Sequence, residues 1–364
     1  ALGCRYLWPG ATGKVIPRGQ THLAAPAVSF TKTPTIKKRT LRGTAATEFI
    51  DHVGNRNYYQ WHGSKDVNDQ TWAAGHSFQD YYNRFSQTHP EWFGMQPNGS
   101  REQDLGSLTE RPTLCLSSAA LAAQKAQDIK DSIAASMEKG KTGDLSFSNC
   151  LPDGNGRTTQ CLCKNCRLLD PVNAPLVSLS LYIPFTQTIS YPSLSDRMIH
   201  FQNLIVRDVL ATYPNRQFSI YVYSMYQTFP MRELPDPSLV LWMVNGDYTS
   251  NAAAESFRGE MAKWVNACPT NTWLWRPNAL ITYRVLAPKN LARVFFNDLS
   301  LFKANGVAGY DFDNYFDNYA SMGLMYYAIS KAALNFDEVD YDVIFNDFCE
   351  KGFGPAASPI KEYY

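Results

Sequence analysis

No stretch of this chain approaches the roughly 18 consecutive apolar residues of a membrane-spanning helix, so no helical span is expected. The longest apolar run, Leu239 to Val244, has the length of one buried strand. An excess of one charge is equally lacking. Lys and Arg total 34 against 33 Asp and Glu in 364 residues, which argues against a nucleic-acid or membrane-surface role driven by bulk charge. Eight cysteines are few for this length, so the chain is no disulfide-held miniprotein. Residues 1–20 lack the basic start and apolar run of a secretory leader. With Trp8-Pro9-Gly10 as a turn signal they read like the interior of a folded domain, and the native start is expected further upstream. A phosphate-cradling loop is also missing, because Asp153-Gly154-Asn155-Gly156 lacks the Lys-Ser/Thr pair or third glycine that would complete one.

What is abundant is aromatic: 21 Tyr, 20 Phe and 8 Trp. They furnish either a large core or a cleft walled by rings with polar tips, the surface that suits sugars. Residues 57–100 are ring-rich and loop-like, which is unusual unless they cover something.

Residues 1–36, rich in Pro, Gly and Thr, read as the end of one unit and a connector. From 37 onward the pattern is strand and helix in alternation. Ser117 or Ser118 caps a helix with Leu121, Ile129, Ile133 and Met137 on one face, ended by Gly140. A strand at 144–149 follows. Ser195 caps the next helix, with Met198, Phe201, Ile205 and Val209 inward, and strands follow at Phe218–Tyr223, Leu239–Val244, Thr272–Trp275 and Val307–Asp313. Helices fill the gaps at Ala252–Asn266, about 289–304 and about 318–334. Less distinct strands near 38–43, 74–78 and 113–116 bring the count to eight. This is the pattern of parallel β/α units, and a (β/α)8 TIM barrel over 37–335 fits it best, with a doubly wound sheet as the alternative. Residues 336–364 read as the start of a C-terminal helical region.

In a barrel the reactive groups sit where strands end. Those positions hold His76, Asp153, Tyr223, Asp247, Trp275, Asp311 and Asp313. Two carboxylates across a cleft are the machinery of glycoside hydrolysis, with Asp153 as acid or base and Asp313 or Asp311 as its partner. His76, Tyr223 and Trp275 would hold the sugar, and Arg39 or Arg42 would face the carboxylate of an acidic one. Each has a plainer reading: Asp153 as a turn residue, Asp311 or Asp313 as a helix cap, Tyr223 and Trp275 as core. Behind Asp153, Cys161-x-Cys163-xx-Cys166 offers three thiolates, and Cys150 could supply a fourth. That set reads as structural, a zinc site or disulfides, with no cofactor required for catalysis.

Several motifs occur in order: Gly3-Cys4-Arg5-Tyr6-Leu7-Trp8-Pro9-Gly10, Gly75-His76-Ser77-Phe78, His89-Pro90-Glu91-Trp92-Phe93, Leu114-Cys115-Leu116-Ser117, and Pro152-Asp153-Gly154 with the cysteine triplet. Together they resemble the bacterial domain-of-unknown-function family four-eight-three-eight. The resemblance implies a TIM-barrel protein of polysaccharide-degrading bacteria, secreted or periplasmic, related at a distance to α-glucuronidases and hexosaminidases. It also implies that residues 1–36 end an N-terminal α/β domain. A polysaccharide or oligosaccharide is the expected partner.

Overall fold

The computed structural model describes residues 3–8, 11–17, 34, 36–41, 61–62, 72–106, 111–140, 146–153, 160–181, 187–245, 251–277, 292–312 and 319–364. Strands β1 (Arg5–Tyr6) and β2 (Lys14–Val15) form a small antiparallel pair. Strand β3 (Lys38–Leu41), helix α1 (Tyr81–Phe85), helix α2 (Ala119–Glu138) and strand β4 (Ser146–Ser148) come next. They are followed by α3 (Lys164–Leu169), a hairpin of β5 (Leu176–Leu181) and β6 (Gln187–Pro192), and α4 (Ser195–Thr212). The chain continues through β7 (Gln217–Val222), β8 (Leu239–Asn245), α5 (Asn251–Ala267), β9 (Trp273–Pro277), α6 (Ala292–Ala304) and β10 (Gly309–Phe312). Helices α7 (Tyr319–Asn335), α8 (Tyr341–Phe353) and α9 (Ala357–Tyr363) complete it.

The fold is mixed α/β around a six-stranded parallel sheet in the order β3-β10-β9-β8-β7-β4. That is the neighbour order of a half-barrel, in which successive strands lie side by side. A further parallel segment is marked by a single bridge from His76 to Cys150, just past β4. The strand expected at 113–116 does not join this sheet. Leu114 bridges antiparallel to Phe93, and the Cys115 N–H donates to Trp92 O at 2.8 Å. Those apolar residues form a turn that seats Cys115.

Backbone contacts divide the chain into two compact units. The unit formed by 70–244 and 254–273 contains β4 to β8, α1 to α4 and most of α5. Its strands β7 and β8 are nearly continuous apolar runs, with Phe218, Ile220, Val222 and Leu239 to Met243 buried, as a parallel sheet covered on both faces requires. Ser118 caps α2 by accepting the Leu121 N–H at 3.2 Å, and Leu121, Ile129 and Ile133 are buried. Met137, expected on the same face, is exposed at the last turn, before Gly140 ends the helix at φ +72. Helix α4 begins at Ser195 itself. Leu194 occupies the cap position and no side chain caps the helix, so Ser195 is not the expected cap; its N–H donates to the Ser193 hydroxyl at 3.3 Å.

The other unit holds 1–69, 245–253 and 274–364. Its N-terminal and C-terminal segments pack together. Arg5 Nε reaches Asp347 Oδ2 at 2.7 Å, the Tyr327 hydroxyl donates to the same oxygen at 2.6 Å, and Trp8 packs edge-on against Phe348. A Cβ on Gly309 would stand 2.5 Å from Lys38 Cβ and 2.6 Å from Lys38 O, so β10 and β3 approach closely only because residue 309 has no side chain. Gly309→Ala is therefore expected to lower the urea midpoint by the equivalent of roughly 1–3 kcal/mol, with an unchanged slope.

His62 is buried and its Nε2 donates to Tyr6 O at 2.6 Å. Burial, partly offset by that bond and aided by Lys331, drives its pKa from 6.5 down to about 4. Between those values the unfolded chain binds a proton that the folded chain refuses, so stability rises with pH there. The contribution is complete above pH 6.5 and is lost as the pH falls towards 4. Urea melts across that window should show a loss of roughly 3 kcal/mol in wild type and a flatter profile in His62→Gln.

Candidate functional site

Asp153 lies five residues beyond β4, and Tyr223 is the first residue beyond β7. Strands β4 and β7 pair in parallel from Ser146↔Gln217 to Ser148↔Ser219, so their C-terminal ends present these residues side by side. The Tyr223 hydroxyl donates to Asp153 Oδ1 at 2.9 Å. Arg111 Nη1 stands 3.3 Å from Asp153 Oδ2. One carboxylate oxygen thus receives a hydrogen bond and the other faces a guanidinium, and the two contacts hold the side chain in one orientation. The Asp153 side chain retains 42% exposure, enough for a ligand to reach it. Burial, then the Asp153 charge, lifts the Tyr223 pKa well above 10, so this hydroxyl stays a donor.

His76 Nδ1 donates to Leu151 O at 2.5 Å. That bond places a proton on Nδ1. The ring packs edge-on against Tyr221 at 5.4 Å and lies 6.5 Å from Tyr223. His76, Asp153 and Tyr223, singled out as strand-end residues, are therefore neighbours in one unit. Asp153, Tyr223, Arg111, Gln160, Ser224 and Tyr226 are among the walls of one cleft of about 50 Å³. A space of that size holds ordered water or one substituent of a larger ligand that lies outside it. Ser224 carries a left-handed backbone (φ 54) directly after Tyr223, a conformation that costs energy in a non-glycine residue and turns the chain sharply at the cleft wall. Tyr226, half-buried, is pushed up to about 12 by desolvation of its hydroxyl.

Asp311 stands elsewhere. Its side chain is 2% exposed and paired with Arg276 Nη1 at 3.0 Å, inside the other unit. Trp275 is buried in that unit among Phe295, Phe302 and Phe312, at ring distances of 5.8, 4.9 and 5.1 Å, and offers no face to a ligand. Arg39 is buried with Nη1 donating to Ile36 O at 2.5 Å. Arg42, Asp247 and Asp313 lie outside the described residues. Among the described residues that line the cleft, Asp153 is the single carboxylate.

The cysteine triplet gathers with Cys115 rather than with Cys150. The sulfurs of Cys115, Cys161, Cys163 and Cys166 all lie within 4.8 Å of one another, and all four residues are buried. Cys150 is buried in the sheet, where its thiol approaches Ser219 O at 3.5 Å. Four buried thiols at this spacing can hold a metal ion. Arg101, which donates to Glu91 O and Phe93 O, stands beside them. Burial works against its charge, but the Cys115 and Cys163 sulfurs and the charges of Cys115 and Cys161 keep its pKa above the ordinary value. Arg111, Gln160 and Tyr226 carry no strand-end signature and were not legible as site residues. Cys115 had one signal, since a triplet of thiolates needs a fourth and Cys115 precedes a helix cap.

No described helix is long and apolar enough to cross a membrane. No curated protein matches the chain. Residues 8–364 match the family model for the domain of unknown function DUF4838, and the chain belongs to that family.

Proposed function

We propose that this chain is a carbohydrate-active protein of glycoside-hydrolase type, in a secreted or periplasmic setting, with Asp153 as its working carboxylate. The parallel sheet is then part of a full (β/α)8 barrel, and polysaccharide or oligosaccharide lies across the strand ends. The observation that carries the reading is the placement of Asp153, held by Tyr223 and Arg111 at the C-terminal ends of adjacent parallel strands. There it accepts a proton from a water in the cleft as the water oxygen bonds to the anomeric carbon and the glycosidic C–O bond breaks. The expected partner Asp313 gives a proton to the departing oxygen, while Tyr223 and Arg111 fix the orientation of Asp153. The four-cysteine site takes no step in this chemistry. A zinc held there is structural, because four protein thiolates close the coordination shell.

A second reading, glycan binding without hydrolysis, is favoured by one observation. Asp311 is buried against Arg276, and Asp153 is the single carboxylate among the described lining residues. A screen of acidic and sulfated polysaccharides, scored for binding and for new reducing ends, separates the two. Hydrolysis by wild type that is lost in Asp153→Asn and in Asp313→Asn supports the first reading. Binding without any turnover supports the second.

A further inference from the structure

Cys115 Sγ lies 3.7 Å from Cys163 Sγ and 3.8 Å from Cys166 Sγ. A bonded disulfide pair would stand at about 2.05 Å. A tetrahedron of sulfurs around zinc, with Zn–S near 2.3 Å, has an edge of about 3.8 Å. These two separations match that edge, and all four sulfurs lie within 4.8 Å of one another. Two N–H groups are also aimed at these sulfurs, as in a metal-thiolate shell, one of them being the cap of α3. The Met95 N–H points at Cys161 Sγ at 3.3 Å, and the Cys166 N–H at Cys163 Sγ at 3.4 Å. Arg101 places a guanidinium against the same sulfurs, where four thiolates and one divalent ion leave an excess of two negative charges. Burial of uncompensated thiolates would otherwise be costly.

We propose that Cys115, Cys161, Cys163 and Cys166 bind one zinc ion as a closed, structural four-thiolate site, with Arg101 as its counter-charge. The site ties the turn before α2 to the turn that opens α3. The segment it fixes, from Gln160 onward, is also a wall of the Asp153 cleft. The sulfurs enclose room for one ion and not for a multi-iron cluster. Zinc fits a buried tetrahedral S4 shell with no open position. The proposal stands independently of any carbohydrate chemistry at Asp153.

Metal analysis of the protein purified without chelator should give one zinc per chain. Cobalt exchanged into the native chain should give the visible bands and sulfur-to-metal charge transfer of a tetrahedral cobalt–thiolate centre, a readout that needs no variant. Cys150→Ser should keep the full equivalent, whereas Cys115→Ser should lose it; should that variant prove insoluble, the cobalt spectrum decides. Four thiols that titrate freely in the native, metal-free protein would overturn the proposal. So would disulfides among the four, an iron chromophore in place of zinc, or a loss of zinc in Cys150→Ser equal to that in Cys115→Ser.

Discussion

Asp153→Asn is expected to reduce turnover of a polysaccharide substrate by about 10²–10⁴-fold, the range attached to one positioned acid or base. Asparagine keeps the shape and one acceptor oxygen, so the Tyr223 hydrogen bond at 2.9 Å can persist. What it loses is the capacity to take a proton and the charge that faces Arg111. Affinity for the glycan should therefore change much less than turnover, and kcat should fall while KM stays within a few-fold. Tyr223→Phe should have a smaller effect in the same direction, because it removes one group that orients Asp153. The measurement is steady-state release of reducing ends alongside equilibrium binding.

Arg276→Met is expected to destabilise the protein by roughly 3–5 kcal/mol, because it removes the guanidinium from a carboxylate that has almost no contact with water. The cost arises from leaving Asp311 charged in a buried site, more than from the attraction lost. Arg276→Met combined with Asp311→Leu should therefore recover most of the loss, since a well-packed apolar pair avoids desolvating either charge. Urea melts of the two variants and of Asp311→Leu alone complete the cycle. A catalytic role for Asp311 predicts something different: turnover lost with stability nearly unchanged.

The parallel sheet was largely legible, because period-two and period-3.6 apolar patterns alternate from Leu121 to Phe312 and each strand is short and flanked by turns. The segments that did not fit were those whose role depends on partners distant in sequence. Leu114 to Leu116 resembles a strand by composition, but Trp92 O and the metal-type cluster make it a turn. The hairpin of β5 and β6 is written in the alternation Val177, Leu179, Leu181. It lies off the parallel sheet, and an expectation of β/α repeats passes over it.

Within the site, Asp153, His76 and Tyr223 were legible as strand-end residues, and the structure makes them neighbours. The fourth cysteine was not. Cys150 is nearer to the triplet along the chain, whereas Cys115 is nearer in space, and spacing alone cannot rank them. Trp275 shows the reverse failure. A ring at the end of a strand looks like a sugar platform until the helix residues Phe295 and Phe302 are seen to cover it.

Asp153, presented by the ends of β4 and β7, is proposed as the working carboxylate of a carbohydrate-active site. The most direct measurement compares wild type with Asp153→Asn on a polysaccharide that wild type binds, scoring binding and reducing-end release in the same samples. Bound glycan is expected in both, and released ends in wild type alone. Equal release by Asp153→Asn, with its fold and zinc content intact, would contradict that role.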